Sequence, residues 1–235
     1  MLATLPNPTG QALTRGRYRP PGCLMDLALW TPPGSAPPVV KDWSGRDHPA
    51  VLHNGPATCD GGVMAFESAS SHYLQGANDL AVGDAFTVVL YDFKTTVPGG
   101  STAPNIWSLA TEAPGANADG VCLFWLVANV GYYVGDETKN SAVSAAAFNA
   151  GFRSFAWTVY WAAGSILQEF ADGVPQTPRG GSADHCAVTE PFRVAYPHTL
   201  FGFNEQANVW CSRVQVYNRR LTDREIWALN AQGGR

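Results

Sequence analysis

The apolar residues of this chain come in runs of strand length, and turn residues close nearly every run. Phe86-Thr87-Val88-Val89-Leu90-Tyr91-Asp92-Phe93 carries β-formers on both faces, as a central strand does. Val121-Cys122-Leu123-Phe124-Trp125-Leu126-Val127 is continuously apolar between Gly120 and the pair Asn129 and Gly131. Phe155 to Trp161 and Ile166 to Ala171 flank Ala162-Ala163-Gly164-Ser165 and read as a hairpin. Asp172-Gly173 then supplies the dipeptide most at ease with the positive φ angles of a tight turn, and Val174 resumes the pattern. Later, Leu200-Phe201-Gly202-Phe203 and Val209 to Tyr217 make two more strands. In the second of these, a strict period of two puts Trp210, Ser212, Val214 and Val216 on one face, with Arg213 and Gln215 on the other.

Helices of crossover length are missing from this pattern, which disfavours parallel α/β architectures. One helix is strongly signalled, at the C-terminus, where Thr222-Asp223-Arg224-Glu225 is a capping box followed by Ile226, Trp227, Ala228 and Leu229. There Trp227 is expected on the apolar face. The Ala-rich stretch from Ser141 to Asn149 allows one further short helical turn. The expectation is an all-β fold, an antiparallel β-sandwich or barrel of roughly a dozen short strands with one short C-terminal helix. The 24 glycines and 17 prolines are spread between the apolar runs, and 235 residues suffice for one large sandwich. No linker divides residues 23–235, which are read as a single domain.

Residues 1–22 differ in character. Arg15, Arg17 and Arg19 occur there without an acidic neighbour, and Pro6, Pro8, Pro20 and Pro21 preclude regular structure. Two readings stand: a frayed terminus, or an extended basic arm that docks on a neighbouring subunit. Met1 to Pro8 lacks the basic start and unbroken apolar stretch of a secretory signal. No stretch of about 18 apolar residues exists to cross a membrane. A net charge of −4 gives no general attraction to nucleic acid or to an anionic membrane surface. Cys23, Cys59, Cys122, Cys186 and Cys211 are odd in number, widely spaced and free of any C-x-x-C pair, so reduced packed thiols are expected.

Five segments, in order, resemble the laminin G-like branch of the concanavalin A-like lectin/glucanase superfamily. Asp42-Trp43-Ser44-Gly45 resembles its early D-x-S-G turn, and Val63 to Phe66 with Tyr73-Leu74 resembles the pair of strands that follows. Phe86-Thr87-Val88 and Phe170-Ala171-Asp172-Gly173 resemble two later strand motifs. The closing segment Val214 to Ile226 resembles v-r-i-Y-n-R-a-L-t-x-x-E-I and is the most specific match. The resemblance implies a concanavalin A-like jelly roll over about residues 24–230. Two departures touch its ligand sites: Glu67 stands where an aspartate is common, and Trp210-Cys211 where small or acidic residues are usual.

The paired strand carboxylates of a glucanase, E-x-D-x-E, do not occur in the chain. Asp223 and Glu225 belong to the helix cap, while Glu169 and Asp172 are spaced to fall on opposite faces. No G-x-S-x-G elbow exists, and Asp184-His185-Cys186, His48 and His53 lack the spacing of a metal or nucleophile motif. No catalytic residue and no cofactor are therefore assigned. Because relatives of this kind hold calcium at the rim, Asp42 and Asp47 beside Ser44 are the candidate metal ligands; the competing reading is that Asp42 and Ser44 cap a turn. Most of the eight tryptophans are assigned to the core, Trp125, Trp157, Trp210 and Trp227 among them, and Trp30 and Trp43 are the candidate sugar-stacking residues.

Two functions are weighed. The first is a non-enzymatic structural protein of a phage virion, a capsid decoration or tail-associated component, whose arm binds a capsid or tail subunit through Arg15, Arg17 and Arg19. The second is a carbohydrate-binding lectin, with a glycoside hydrolase as a remote third. The expected location is the virion, or otherwise the cytoplasm of the producing cell, and a homo-oligomer is compatible with either function.

Overall fold

A computed structural model describes residues 18–29, 39–55, 57–58, 62–97, 103–110, 120–126, 129–134, 137–140, 144–160, 166–180, 188–197 and 205–233. Its strands in chain order begin with β1 (Cys23–Ala28), β2 (Val39–Val40), β3 (Ala50–His53), β4 (Ala57–Thr58), β5 (Met64–Phe66), β6 (Tyr73–Gly76) and β7 (Leu80–Val82). The middle of the chain supplies β8 (Ala85–Thr96), β9 (Asn105–Ala110), β10 (Gly120–Leu126), β11 (Asn129–Val134) and β12 (Glu137–Asn140). Next come β13 (Arg153–Tyr160), β14 (Ile166–Ala171), β15 (Val174–Pro175) and β16 (Arg179–Gly180). The last are β17 (Val188–Glu190), β18 (Arg193–Val194), β19 (Asn208–Cys211) and β20 (Arg213–Tyr217). Two α-helices, α1 (Ala145–Asn149) and α2 (Asp223–Gln232), accompany them.

The strands form an antiparallel sandwich. One sheet runs β15-β14-β13-β8-β19-β5-β4, with β20 beside β8, β1 beside β20, and β16 on β14. The other runs β12-β11-β10-β9-β18-β6-β3-β2, and β17 pairs with β7 apart from both. The expected hairpin is present, since β13 and β14 pair from Phe155↔Ala171 to Tyr160↔Ile166. Asp172 and Gly173, at φ 50° and 79°, turn the chain into β15. The Leu200 to Phe203 segment lies outside the described residues.

Between the sheets lies one large apolar core, whose centre is aromatic. Phe148, fully buried on α1, stacks on Phe155 at 4.7 Å between ring centroids, and Phe93 meets both rings edge-on. Trp157 contacts Trp107, which in turn stacks on Phe192. The short α1 forms within the Ala-rich stretch because Ser144 caps it, its side chain accepting from Ala147 N–H.

The period of two fails at one level of the first sheet. Val209 and Cys211 face the core, and so do Val214 and Val216, so the alternation shifts by one residue at Ser212. The neighbouring β8 shifts with it: Phe86, Val88 and Leu90 are core residues, and the next is Phe93. The paired irregularities bond to each other. Asp92 adopts φ 46°, and Ser212 donates its hydroxyl to Asp92 Oδ2 at 2.6 Å and its N–H to Tyr91 O at 2.9 Å. The face assigned to Trp210 is thereby corrected. The bulge turns its ring outward, where it is part-exposed with Lys94 Nζ at 5.5 Å from its centroid.

The outer face of the first sheet is covered as well. Ile226 and Leu229 of α2 seal Val89, Tyr91, Ala156, Phe170 and Tyr217. Trp227, expected on that apolar face, is instead 62% exposed, because Ile226 and Leu229 are the residues of α2 that meet the sheet. Beside this cluster Arg213 is not a surface cation: its Nε and Nη2 grip Asp26 Oδ1 and Oδ2, both at 2.8 Å. Gln215 Oε1 accepts from Tyr91 Oη and Tyr217 Oη.

Residues 18–22 pack on this end of the sandwich. Arg19 Nη2 donates to Asp26 Oδ2 at 2.7 Å, Arg219 Nε to Pro21 O at 2.8 Å, and Asn218 N–H to Gly22 O at 2.9 Å. A Cβ on Gly22 would stand 2.6 Å from Asn218 Oδ1, and its φ is 86°. Arg19, read as a partner contact, is thus committed within the chain, whereas Arg15 and Arg17 lie outside the described residues.

A candidate binding face on the second sheet

The outward side of the second sheet carries the residues that the core does not need. Ala50 and Leu52 of β3 and Leu74 of β6 point inward, which leaves Val51, His53, Tyr73 and Gln75 on the other side. Pairing extends one row across five strands, Val51–Gln75–Arg193–Ser108–Cys122. Just beyond β18 the alternation breaks again. Val194 and Ala195 are both core residues, because Ala195 takes φ 52° and donates its N–H to Ile106 O at 2.8 Å. This left-handed residue costs about 1–2 kcal/mol for a side chain that is not glycine. Its consequence is that Tyr196 emerges on the outer face.

There the rings meet. His53 stacks on its cross-strand partner Tyr73 with centroids 4.1 Å apart and planes 11° from parallel. Tyr196 meets Tyr73 edge to face at 5.1 Å. The Arg193 guanidinium lies 5.0 Å from the Tyr196 centroid, donates from Nη1 to Ala110 O at 3.1 Å, and pairs through Nη2 with Glu190 Oε2 at 3.3 Å. Asn105 Nδ2 holds the Tyr196 carbonyl at 2.9 Å, and Cys122 Sγ donates to Asn105 Oδ1 at 3.3 Å. His53, Tyr73, Gln75, Glu190 and Tyr196 are part-exposed above a buried layer of Arg193, Asn105, Ser108 and Cys122. Burial lowers the pKa of His53 below its ordinary value, so the ring is neutral at pH 7. Burial likewise pushes the Cys122 thiol up, which keeps it protonated and unreactive. The face presents the aromatic rings of His53, Tyr73 and Tyr196 and the amide of Gln75 beside the Arg193–Glu190 ion pair.

The residues singled out in the sequence lie elsewhere. Trp43 is half-buried, with Lys41 Nζ 4.4 Å from its ring centroid and its N–H on Asp26 O; Trp30 and the Asp184-His185-Cys186 triplet fall outside the described residues. Asp42 holds a turn. Its Oδ1 accepts from Asp26 N–H and Ser44 N–H, and its Oδ2 from Ser44 Oγ and His48 N–H. Desolvation, the largest influence, raises its pKa, but the hydrogen bonds from Ser44, His48 and Asp26 together outweigh it and hold the carboxyl below its ordinary value. With each oxygen already accepting twice, Asp42 does not fit a calcium ion. Asp47 is exposed at φ 60°, and among the described residues no group of three or more His, Cys, Asp or Glu side chains is placed to hold a metal. Asp172 is paired with Arg153 at 2.7 Å, and Glu169 is buried with Trp157 Nε1 3.3 Å from its Oε1.

Of this candidate face, the sequence offered Tyr73 as a strand residue and His53 as a histidine without the spacing of a metal or nucleophile motif. Period-two alternation at 50–53 and 73–76 marks both as outward, but nothing local aligns them or brings in Tyr196 and Arg193.

No family model matches this chain, and no curated protein matches it in sequence. Solved structures do share its fold. A botulinum neurotoxin DC binding domain in complex with rat synaptotagmin II is similar over 89% of this chain and 51% of that one, at 9% identity and a TM-score of 0.62. A botulinum neurotoxin type C structure, described by cell entry dependent on two ganglioside molecules, matches over 89% and 51% at 8% identity and a TM-score of 0.64. The serotype D ligand-binding domain in complex with N-acetylneuraminic acid matches over 89% and 50% at 11% identity and a TM-score of 0.62. The chain spans about half the length of these structures. At such identity the likeness is one of fold.

Proposed function

We propose that this chain is a non-catalytic, laminin G-like binding module that holds a glycan on the outer face of its second sheet. The observation that carries this reading is the ring ladder His53–Tyr73–Tyr196, braced by Arg193 and flanked by the amide of Gln75. Part-exposed aromatic rings on a rigid sheet offer a sugar's apolar C–H face a partner, and nearby neutral polar groups reach its hydroxyls. The ligands of two structural neighbours, gangliosides and N-acetylneuraminic acid, are of the same broad class. Assembly on a phage capsid or tail is the weaker reading, since Arg19 is engaged with Asp26 and the remainder of the basic arm is Arg15 and Arg17.

The test is glycan binding by the full chain and by Tyr73→Ala, with Trp43→Ala as comparison. Tyr73→Ala is expected to weaken binding about tenfold or more, the scale of one or two kcal/mol for a lost stacking partner, while Trp43→Ala changes it little. The opposite ranking would move the site to the Trp43 turn.

A further inference from the structure

The charges on this face are unequal in their access to solvent, and that inequality bears on which sugars fit. Arg193 is the one cationic side chain in the row Val51–Gln75–Arg193–Ser108–Cys122, and its side chain is 6% exposed, against 25% for its partner Glu190. The guanidinium lies buried along the face, between Ala110 O and the Tyr196 ring, while the Glu190 carboxylate is the more exposed partner. Reaching Arg193 with an outside anion would mean displacing Glu190 and desolvating a second carboxylate, which costs more than one partly exposed ion pair returns. The ring at the end of the ladder, His53, is neutral at pH 7 and supplies no substitute cation.

We infer, on the glycan-binding reading above, that the face selects uncharged pyranoses and discriminates against carboxylate-bearing sugars, with Glu190 as the residue that sets this preference. The aromatic surface of Tyr73 and Tyr196 takes the apolar face of a hexose, and the neutral amide of Gln75 suits hydroxyl groups. A sugar acid brings its negative charge toward the Glu190 carboxylate, and among the described residues of this row the one cation, Arg193, is buried against it.

The experiment is an array of oligosaccharides in matched pairs that share a core and differ by one terminal sialic acid, probed with the full chain at low and high ionic strength. Neutral members are expected to bind, and sialylated members about fivefold more weakly at low salt, the effect of one like-charge contact near the surface. That gap should narrow as salt rises. Glu190→Gln, checked for unchanged circular dichroism, should narrow it at low salt too; if that variant does not fold, the salt dependence decides. Equal or tighter binding of the sialylated members overturns the inference and leaves the glycan reading standing. No binding of any member, or binding untouched by Tyr73→Ala, overturns both.

Discussion

Asp42 shows how one side chain does several structural jobs that a sequence motif leaves ambiguous. Its carboxylate gathers backbone N–H groups of Asp26, Ser44 and His48 with the Ser44 hydroxyl, tying the turn to β1. Asp42→Ala would strand those donors and is expected to cost about 3 kcal/mol. Urea unfolding with and without calcium checks this, and a calcium-dependent rise in the wild-type midpoint would return the residue to metal binding. Phe148 makes a second case. Its ring fills the space between Phe93 and Phe155, so Phe148→Ala should lose about 3–5 kcal/mol, read from the same unfolding curves. A loss below 1 kcal/mol would mean that the aromatic centre closes over the gap.

At the scale of elements, residues 18–22 tie the N-terminal segment to the sandwich. They supply Arg19 to Asp26 and the carbonyls of Pro21 and Gly22 to Arg219 and Asn218, so they belong to the sandwich energetically. Truncations that remove residues 1–17 and residues 1–22 isolate these contacts. Removing 1–22 strips one partner from a buried carboxylate and two acceptors from their donors, an expected loss of about 2 kcal/mol. Identical melting of the two truncations would show that these contacts contribute nothing. An arm-dependent assembly assay therefore needs the shorter cut, since the longer one confounds binding with folding. The C-terminal helix is coupled to the same region: Arg219 reaches Glu225 at 2.6 Å while Glu225 accepts from Thr222 N–H in the capping box.

For the whole molecule, these acidic groups set the response to pH. The hydrogen bond from Arg219, with help from Thr222, lowers the pKa of Glu225 from 4.5 to about 2, and Asp42 is also lowered. A carboxyl with a lowered folded pKa stabilises the fold fully above its unfolded value and loses that contribution as pH falls through its folded value. Stability should therefore decline between about pH 4.5 and pH 2. Glu225→Gln should flatten the decline, as followed by denaturant midpoints across that range. An unchanged slope in the variant would exclude Glu225 from the acid response.

The sequence by itself determined the class of fold, because strand-length apolar runs, turn dipeptides and the Thr222 capping box are local signals that each act over a few residues. It also determined the β13–β14 hairpin and the phase from which α2 begins. What only the tertiary structure decided is wherever the period of two slips: the linked bulges at Asp92 and Ser212 that turn Trp210 outward, and the left-handed Ala195 that delivers Tyr196 to the binding face. Trp227 belongs with these, since its place on α2 depends on which helix face meets the sheet. A strand's own residues encode that it is a strand, but not the register in which it meets its partners. Register is set by pairing between segments far apart in the chain, His53 with Tyr73 and Arg193 with both Gln75 and Ser108, and the binding face exists only in that pairing.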